Sequence, residues 1–125
     1  MQPVVFGSDF RRAERTARLN QFVRWIEQNN PKANIILMGD FNALPEEESM
    51  RLLTSDGELL TNMIFTLPKN KRYTTNFNGN SQALDYIFSN KNLMNKCAQA
   101  EVLHINSDFM GRVSDHDPVV MRACF

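Results

Sequence analysis

Net charge, cysteine, histidine and long apolar runs are all scarce in this chain of 125 residues, and each scarcity excludes something. Fourteen basic and fourteen acidic residues cancel, so no overall field marks a nucleic-acid or membrane-surface binder. A nuclease is not excluded, but it would have to work through a local basic strip or a bound cation. No run approaches the roughly 20 apolar residues of a membrane-spanning helix. The first twenty residues also lack the apolar block of a signal peptide. Cys97 and Cys124 have no metal-ligand spacing. Both lie in apolar stretches, so buried free thiols are the first expectation and a single disulfide the other. The compartment stays open. No repeat, low-complexity tract or linker divides the chain, whose length suits one domain, residues 1–125, with a modest core. Met1 has two readings, a true start or the point where a longer gene was cut.

What is present is ordinary in bulk: 42% hydrophobic and 22% charged residues, as in a soluble protein. Val4-Val5-Phe6 reads as a strand remnant, followed by a turn at Gly7-Ser8-Asp9. Residues 10–29 follow a helical pattern, with Leu19, Phe22, Val23 and Ile26 forming one apolar stripe. Arg11, Arg12, Arg15 and Arg18 crowd its first half, as a solvated face or, alternatively, as a phosphate-facing strip. Asn29-Asn30-Pro31 stops the helix. A strand over 34–38 follows, then a helix over 46–53. Glu46, Glu47 and Glu48 complement the positive end of that helix's dipole, a better account than a metal cluster. Residues 58–67 are ambiguous, with a short helix as one reading, and Pro68-Lys69-Asn70-Lys71-Arg72 forms a basic loop. Strands are expected over 73–77, 83–89, 98–105 and 118–125. Helices separate the early strands while the later ones follow one another, which predicts an α/β sandwich with a mixed sheet.

Three segments carry chemistry. Gly39-Asp40-Phe41-Asn42 ends the apolar run Ile35-Ile36-Leu37-Met38, where a strand emerges into a loop. Asp40 and Asn42, two apart, point to one side if the strand continues. They pair a carboxylate that binds a cation or orients a water with an amide that donates to an oxyanion. Local strand-exit chemistry is the plainer reading. Asp85 stands in the otherwise apolar Leu84-Asp85-Tyr86-Ile87-Phe88. Either it lies on the wet face of an edge strand, or it orients a catalytic imidazole. Ser114-Asp115-His116-Asp117-Pro118 flanks one of only two histidines with carboxylates. An imidazole there stays cationic nearer neutrality and suits phosphate binding, while the carboxylate beside it suits a hard cation. Turn chemistry before Pro118 is the alternative. His104, in Val102-Leu103-His104-Ile105, reads as structural.

In this order, the three segments resemble the second half of the endonuclease/exonuclease/phosphatase superfamily, the deoxyribonuclease-I-like fold, over roughly residues 11–125. Residues 78–85 and 104–106, with 114–119, are similar to one branch, the predicted extracellular bacterial nucleases, which suggests an extracellular or periplasmic location. The resemblance implies half of a four-layer α/β sandwich, a mixed β-sheet with helices on one face. It also implies phosphodiester hydrolysis with Mg²⁺ or Mn²⁺, Ca²⁺ being a third candidate. Asp40 would orient or deprotonate the attacking water and take part in metal binding. Asn42 would hydrogen-bond the phosphate, Asp115 would ligate the metal, and His116 would bind phosphate and stabilise the developing charge. Asp117 has no role in the pattern. The resemblance further implies that Asp85 pairs with a histidine from the domain's first half, which this chain does not contain. A metal-binding Glu and an early Asn and Tyr belong to that half as well.

Two consequences follow. The sheet face that should meet the other half would be exposed and apolar, so a homodimer or a complex with that half is expected to cover it. The chain alone should have weak activity or none. The substrate reading is nucleic acid, DNA or RNA, with the basic loop of residues 68–72 suiting its backbone. Lipid phosphatases, sphingomyelinases and a non-catalytic truncated fragment are the alternatives.

Overall fold

The computed structural model describes residues 3–125; Met1 and Gln2, on which the question of a true start turns, lie outside the described residues. The first helix, α1, runs Pro3–Asn29 and is 27 residues long. The expected strand remnant at residues 4–6 is therefore helical. The turn at residues 7–9 is absent too, because a single Gly lowers helix propensity by only about 1 kcal/mol, too little to break so long a helix. The side chain of Glu14 accepts from Arg18 at 2.8 Å, one turn on. Leu19, Val23 and Ile26 face the core as expected, and Thr16 joins them, its hydroxyl bonded to the carbonyls of Arg12 and Ala13. Phe22 leaves the stripe. It is 57% exposed and stacks on Trp25 across the solvent side.

Three strands make the main sheet: β1 (Ile36–Asp40), β2 (Leu60–Asn62) and β5 (Asp85–Asn90), in the order β1-β5-β2. Between β1 and β2 lies α2 (Glu48–Thr54), closed by Ser55, Asp56 and Gly57, all at positive φ. The ambiguous stretch 58–67 resolves into β2 and a 3-10 turn, Met63–Thr66, capped by the Asn62 side chain rather than forming a helix. A hairpin of β3 (Thr75–Phe77) and β4 (Asn80–Gln82) precedes β5. The expected strand 83–89 thus starts at Asp85, placing that carboxylate at a strand entrance. A one-turn helix not foreseen, α3 (Lys91–Met94), is nucleated by the Asn90 side chain. The chain ends in a second hairpin, β6 (Gln99–Val102) with β7 (Val119–Arg122).

The α/β architecture agrees with expectation, but every strand pair among the described residues is antiparallel, not mixed. The reason is topological: β1 and β2 run the same way, and β5 lies between them. The core packs Val23 of α1 and Met50 and Leu53 of α2 against Leu37, Tyr86 and Phe88 of the sheet. Leu37↔Phe88 and Gly39↔Tyr86 share that helix-covered face. The opposite face carries Ile36↔Ser89, Met38↔Ile87 and, at its end, Asp40↔Asp85. There Ile87 and Ser89 are buried while Ile36 and Met38 on the edge strand are 37% and 63% exposed.

Cys97 and Cys124 form a disulfide with Cα atoms 5.7 Å apart, and both residues are exposed, which overturns the free-thiol expectation. The hairpin register explains it. Gln99 opposes Arg122, so continuing the ladder two residues outward sets Cys97 opposite Cys124.

Candidate active site

Strand register builds the site. Asp40 ends β1, Asp85 begins β5, and the two are direct cross-strand partners. Side chains opposite one another in an antiparallel pair lie on the same face, and two carboxylates there repel. The sequence accepts this cost only where something cationic offsets it.

The backbone around them is tightly sewn. Phe41 N–H donates to the Leu84 carbonyl at 2.9 Å, carrying the ladder one step past the strand. The buried Tyr86 phenol reaches the carbonyls of Ala43, at 2.7 Å, and Ala83, tying both loops together. Burial first, then nearby acidic groups, push that phenol's pKa up, so it stays a neutral donor. Asp40 Oδ1 accepts from Asn42 N–H at 3.0 Å, an Asx turn, and Asn42 takes φ 48°, a left-handed conformation that asparagine tolerates. The strand therefore stops at Asp40, and simple alternation no longer sets the direction of Asn42. Asn42 is exposed beside the pair.

The group placed to offset it is His116. Its Nδ1 lies 2.6 Å from Asp85 Oδ2, bridging 31 residues of sequence. This corrects the expectation that Asp85 pairs with a histidine from elsewhere: its partner is in this chain. The reason is the loop from 103 to 118, which folds back so that His116 bridges to Thr75 at the mouth of β3. Partial burial disfavours the imidazolium. The hydrogen bond and charge of Asp85, with the charges of Asp40 and Asp115, outweigh it and hold the ring above its ordinary pKa. With Nδ1 engaged, Nε2 is the nitrogen left for a ligand. Asp115 Oδ1 lies 4.0 Å from it on a side chain that is 72% exposed.

Asp40, Asp85 and His116 offer ligand atoms within 4.8 Å of one another. Among the described residues they are the group of three so placed; the glutamates at 46–48 make no such cluster. Because Asp85 holds Nδ1, the set presents chiefly carboxylate oxygen, with Asp40 exposed and keeping acceptor capacity beyond the Asn42 N–H. That donor chemistry fits a hard cation better than a transition metal. Asp115 is not part of the cluster and faces it across His116.

Asp117, which sequence reasoning left without a role, anchors the loop. Its buried carboxylate accepts from Asn106 N–H and Ser107 N–H at 2.9 Å each, from the Ser107 hydroxyl, and from His104 Nδ1 at 3.1 Å. Burial pushes its pKa up, but the bonds from Ser107, Asn106 and His104 overcome this and hold it below the ordinary value. Asn106 Nδ2 in turn donates to the His116 carbonyl at 2.7 Å. His104 packs part-buried against Asp117 and stacks on Tyr73 with ring centroids 4.0 Å apart, a structural placement. The Tyr73 phenol donates to Asp108, which together with burial pushes its pKa up to about 12. An Asp followed by Pro at a strand entrance was the available signal for Asp117, and it reads equally as turn chemistry.

The family model described as the Endonuclease/Exonuclease/phosphatase family matches residues 3–116. No curated protein matches the chain by sequence. Among solved structures, a mannosyl-6-phosphatase of Bacteroides thetaiotaomicron superposes with a TM-score of 0.65 at 22% identity. The match covers 91% of this chain and 46% of that one, so this chain spans less than half the length of that protein. Such a likeness establishes a shared fold. Asp40, Asp85 and His116 fall within the matched residues, and the chain belongs to the endonuclease/exonuclease/phosphatase family.

Proposed function

We propose that this chain carries part of the active site of a phosphate-ester hydrolase dependent on a divalent cation, acting on a phosphodiester, with nucleic acid the leading substrate. The observation that carries the reading is the 2.6 Å Asp85–His116 pair set directly beside Asp40. Asp85 orients the ring and stabilises its charged form, leaving Nε2 to donate to a phosphoryl oxygen as charge develops there. Asp40 accepts a proton from, or orients, the attacking water, and the Asn42 amide donates to the phosphate. Asp40 would hold Mg²⁺, Mn²⁺ or Ca²⁺ within the cluster, with Asp115, which lies outside it, reaching the ion through water; the ion would supply Lewis-acid polarisation of the phosphoryl oxygens.

A second reading, hydrolysis of a phosphomonoester, is supported by the basic loop. Arg72 spends its guanidinium on the carbonyls of Leu67 and Phe65, and Lys69 and Lys71 form only a short exposed turn, a thin strip for a polyanion. The solved structure sharing the fold is a phosphatase, which agrees with this reading without deciding it.

The exposed Ile36 and Met38 lie on an edge strand, the combination that a second layer normally covers. We infer that a second copy or a complementing half-domain does so, and that activity of the chain alone is weak. Gel filtration should return a dimer or a complex; a clean monomer at high concentration contradicts this. For catalysis, the chain is assayed with plasmid DNA and with p-nitrophenyl phosphate, each with Mg²⁺, Mn²⁺ or chelator. Slow cation-dependent cleavage lost in His116→Ala and Asp85→Asn is expected. Cleavage surviving His116→Ala overturns the assignment, and cation binding without turnover on any substrate favours a non-catalytic fragment.

A further inference from the structure

Asp85 and His116 come from different segments, and a hydrogen bond between two flexible side chains does not fix itself. Something must hold both ends, and one residue bonds both to Asp85 and to the segment bearing His116. Thr74 is fully buried between them, at 0% exposure. Its hydroxyl lies 2.8 Å from Asp85 Oδ2, 3.0 Å from Leu84 N and 3.2 Å from Asp85 N.

A hydroxyl has one proton and two lone pairs. The two backbone N–H groups can only donate, so they occupy the lone pairs, and the proton is directed to the carboxylate. The hydroxyl is thus completely used and has a single orientation. Thr74 is also β-branched, so its χ1 has little freedom. Oδ2, the oxygen it contacts, is the same one that holds His116 Nδ1.

The backbone of Thr74 grips the other end. Its carbonyl accepts from Asp117 N–H at 2.7 Å, immediately after His116. Its N–H donates to the Gln82 carbonyl at 2.9 Å, and the neighbouring Thr75 forms the bridge to His116.

We propose that Thr74 is a positioning residue: a three-way clip whose side chain sets the Asp85 carboxylate and whose backbone sets the segment bearing His116, so that the two meet in one geometry. The catalytic consequence rests on the hydrolase reading above; the geometric one does not.

The test compares Thr74→Val, which keeps the shape and removes the hydroxyl, with Thr74→Ser, which keeps the hydroxyl. The readout is ¹H–¹⁵N spectroscopy of the two imidazoles, with His104 as the internal reference. In the native chain and in Thr74→Ser, the hydrogen-bonded Nδ1 proton of His116 should give a low-field signal. In Thr74→Val that signal should vanish into exchange with water while the His104 signal stays. Where turnover is measurable, kcat should fall by up to about 100-fold with KM little changed, as expected for a misplaced catalytic group, and Thr74→Ser should restore it. Persistence of the His116 signal in Thr74→Val overturns the proposal. So does loss of both histidine signals together, which marks a general structural role, or loss of the His116 signal in Thr74→Ser. If Thr74→Val does not fold, Thr74→Ala removes the hydroxyl without crowding and carries the same outcomes. A native chain lacking the His116 signal sinks the Asp85–His116 pair itself, whereas native cleavage without dependence on His116 sinks only the hydrolase reading.

Discussion

Two hydrogen-bonded histidine–aspartate pairs draw their histidines from one short stretch of chain, and they are built differently. His116 meets Asp85 at 2.6 Å, with side chains 30% and 19% exposed; His104 meets Asp117 at 3.1 Å, with side chains 11% and 0% exposed. The carboxylate of Asp117 is saturated by its own loop, taking two backbone N–H groups and a hydroxyl before His104 is counted. Its charge is stabilised whatever the imidazole does. The carboxylate of Asp85 has the Thr74 hydroxyl and then His116, with a second carboxylate, Asp40, across the strand. Its charge is shared with the imidazole. The same two functional groups thus give a staple in one place and a chemically poised pair in the other. The donors already spent on the carboxylate distinguish them.

The largest expected effect tests this division directly. Asp117→Ala strands several buried donors at once and should cost about 3–5 kcal/mol in chemical denaturation. Asp85→Ala should cost about 1–2 kcal/mol while removing any turnover. A larger stability loss at Asp85 than at Asp117 would reverse the comparison. Next comes the disulfide, whose cysteines stand 27 residues apart and close the far end of the hairpin carrying Asp117. Replacing both with Ser should lower stability by about 3–4 kcal/mol. It should leave the His116 Nδ1 signal in place, since nothing in the active pair depends on that end; loss of the signal would mean the two regions are coupled.

The smallest effects are in pH dependence, and they have opposite signs. His116 is held above its ordinary 6.5, so the folded state binds its proton more tightly than the unfolded state. That contribution is complete below about pH 6.5 and fades as pH rises through the folded value. Asp117 is held below its ordinary 3.8, so its contribution is complete above that value and fades as pH falls through the lower folded one. Stability measured against pH should therefore lose its near-neutral decline in Asp85→Asn and part of its acid decline in Asp117→Asn. A near-neutral decline that survives Asp85→Asn assigns it to another group.

Much of this was legible in the sequence, for identifiable reasons. The apolar run ending at Gly39-Asp40 and the lone carboxylate of Asp85 among apolar residues are local patterns, and both mark strand ends at the site. The partnership of Asp85 with His116 was not legible, because it depends on a loop folding back across 31 residues, and loop closure leaves no periodicity to read. Thr74 was invisible for a related reason: a threonine before a strand looks the same whether its hydroxyl meets water or a buried carboxylate. The sequence does not decide between disulfide and free thiols because hairpin register, which sets Cys97 opposite Cys124, becomes known only once β6 and β7 are paired. The opening helix departs from the sequence pattern because β-branched Val4 and Val5 beside Gly7 favour a strand locally, while the long helix behind them propagates through.

The division of labour in His116, one ring nitrogen turned to Asp85 and the other kept for a phosphoryl group, is what sets this pair apart. Titrating the ¹⁵N-labelled chain with inorganic phosphate in the presence of Mg²⁺ tests it most directly. A saturable shift at His116 Nε2, an undisturbed Nδ1 bonded to Asp85 and a silent His104 are expected. A shift at His104 with His116 unmoved, or a His116 Nδ1 free of Asp85 from the start, would contradict it.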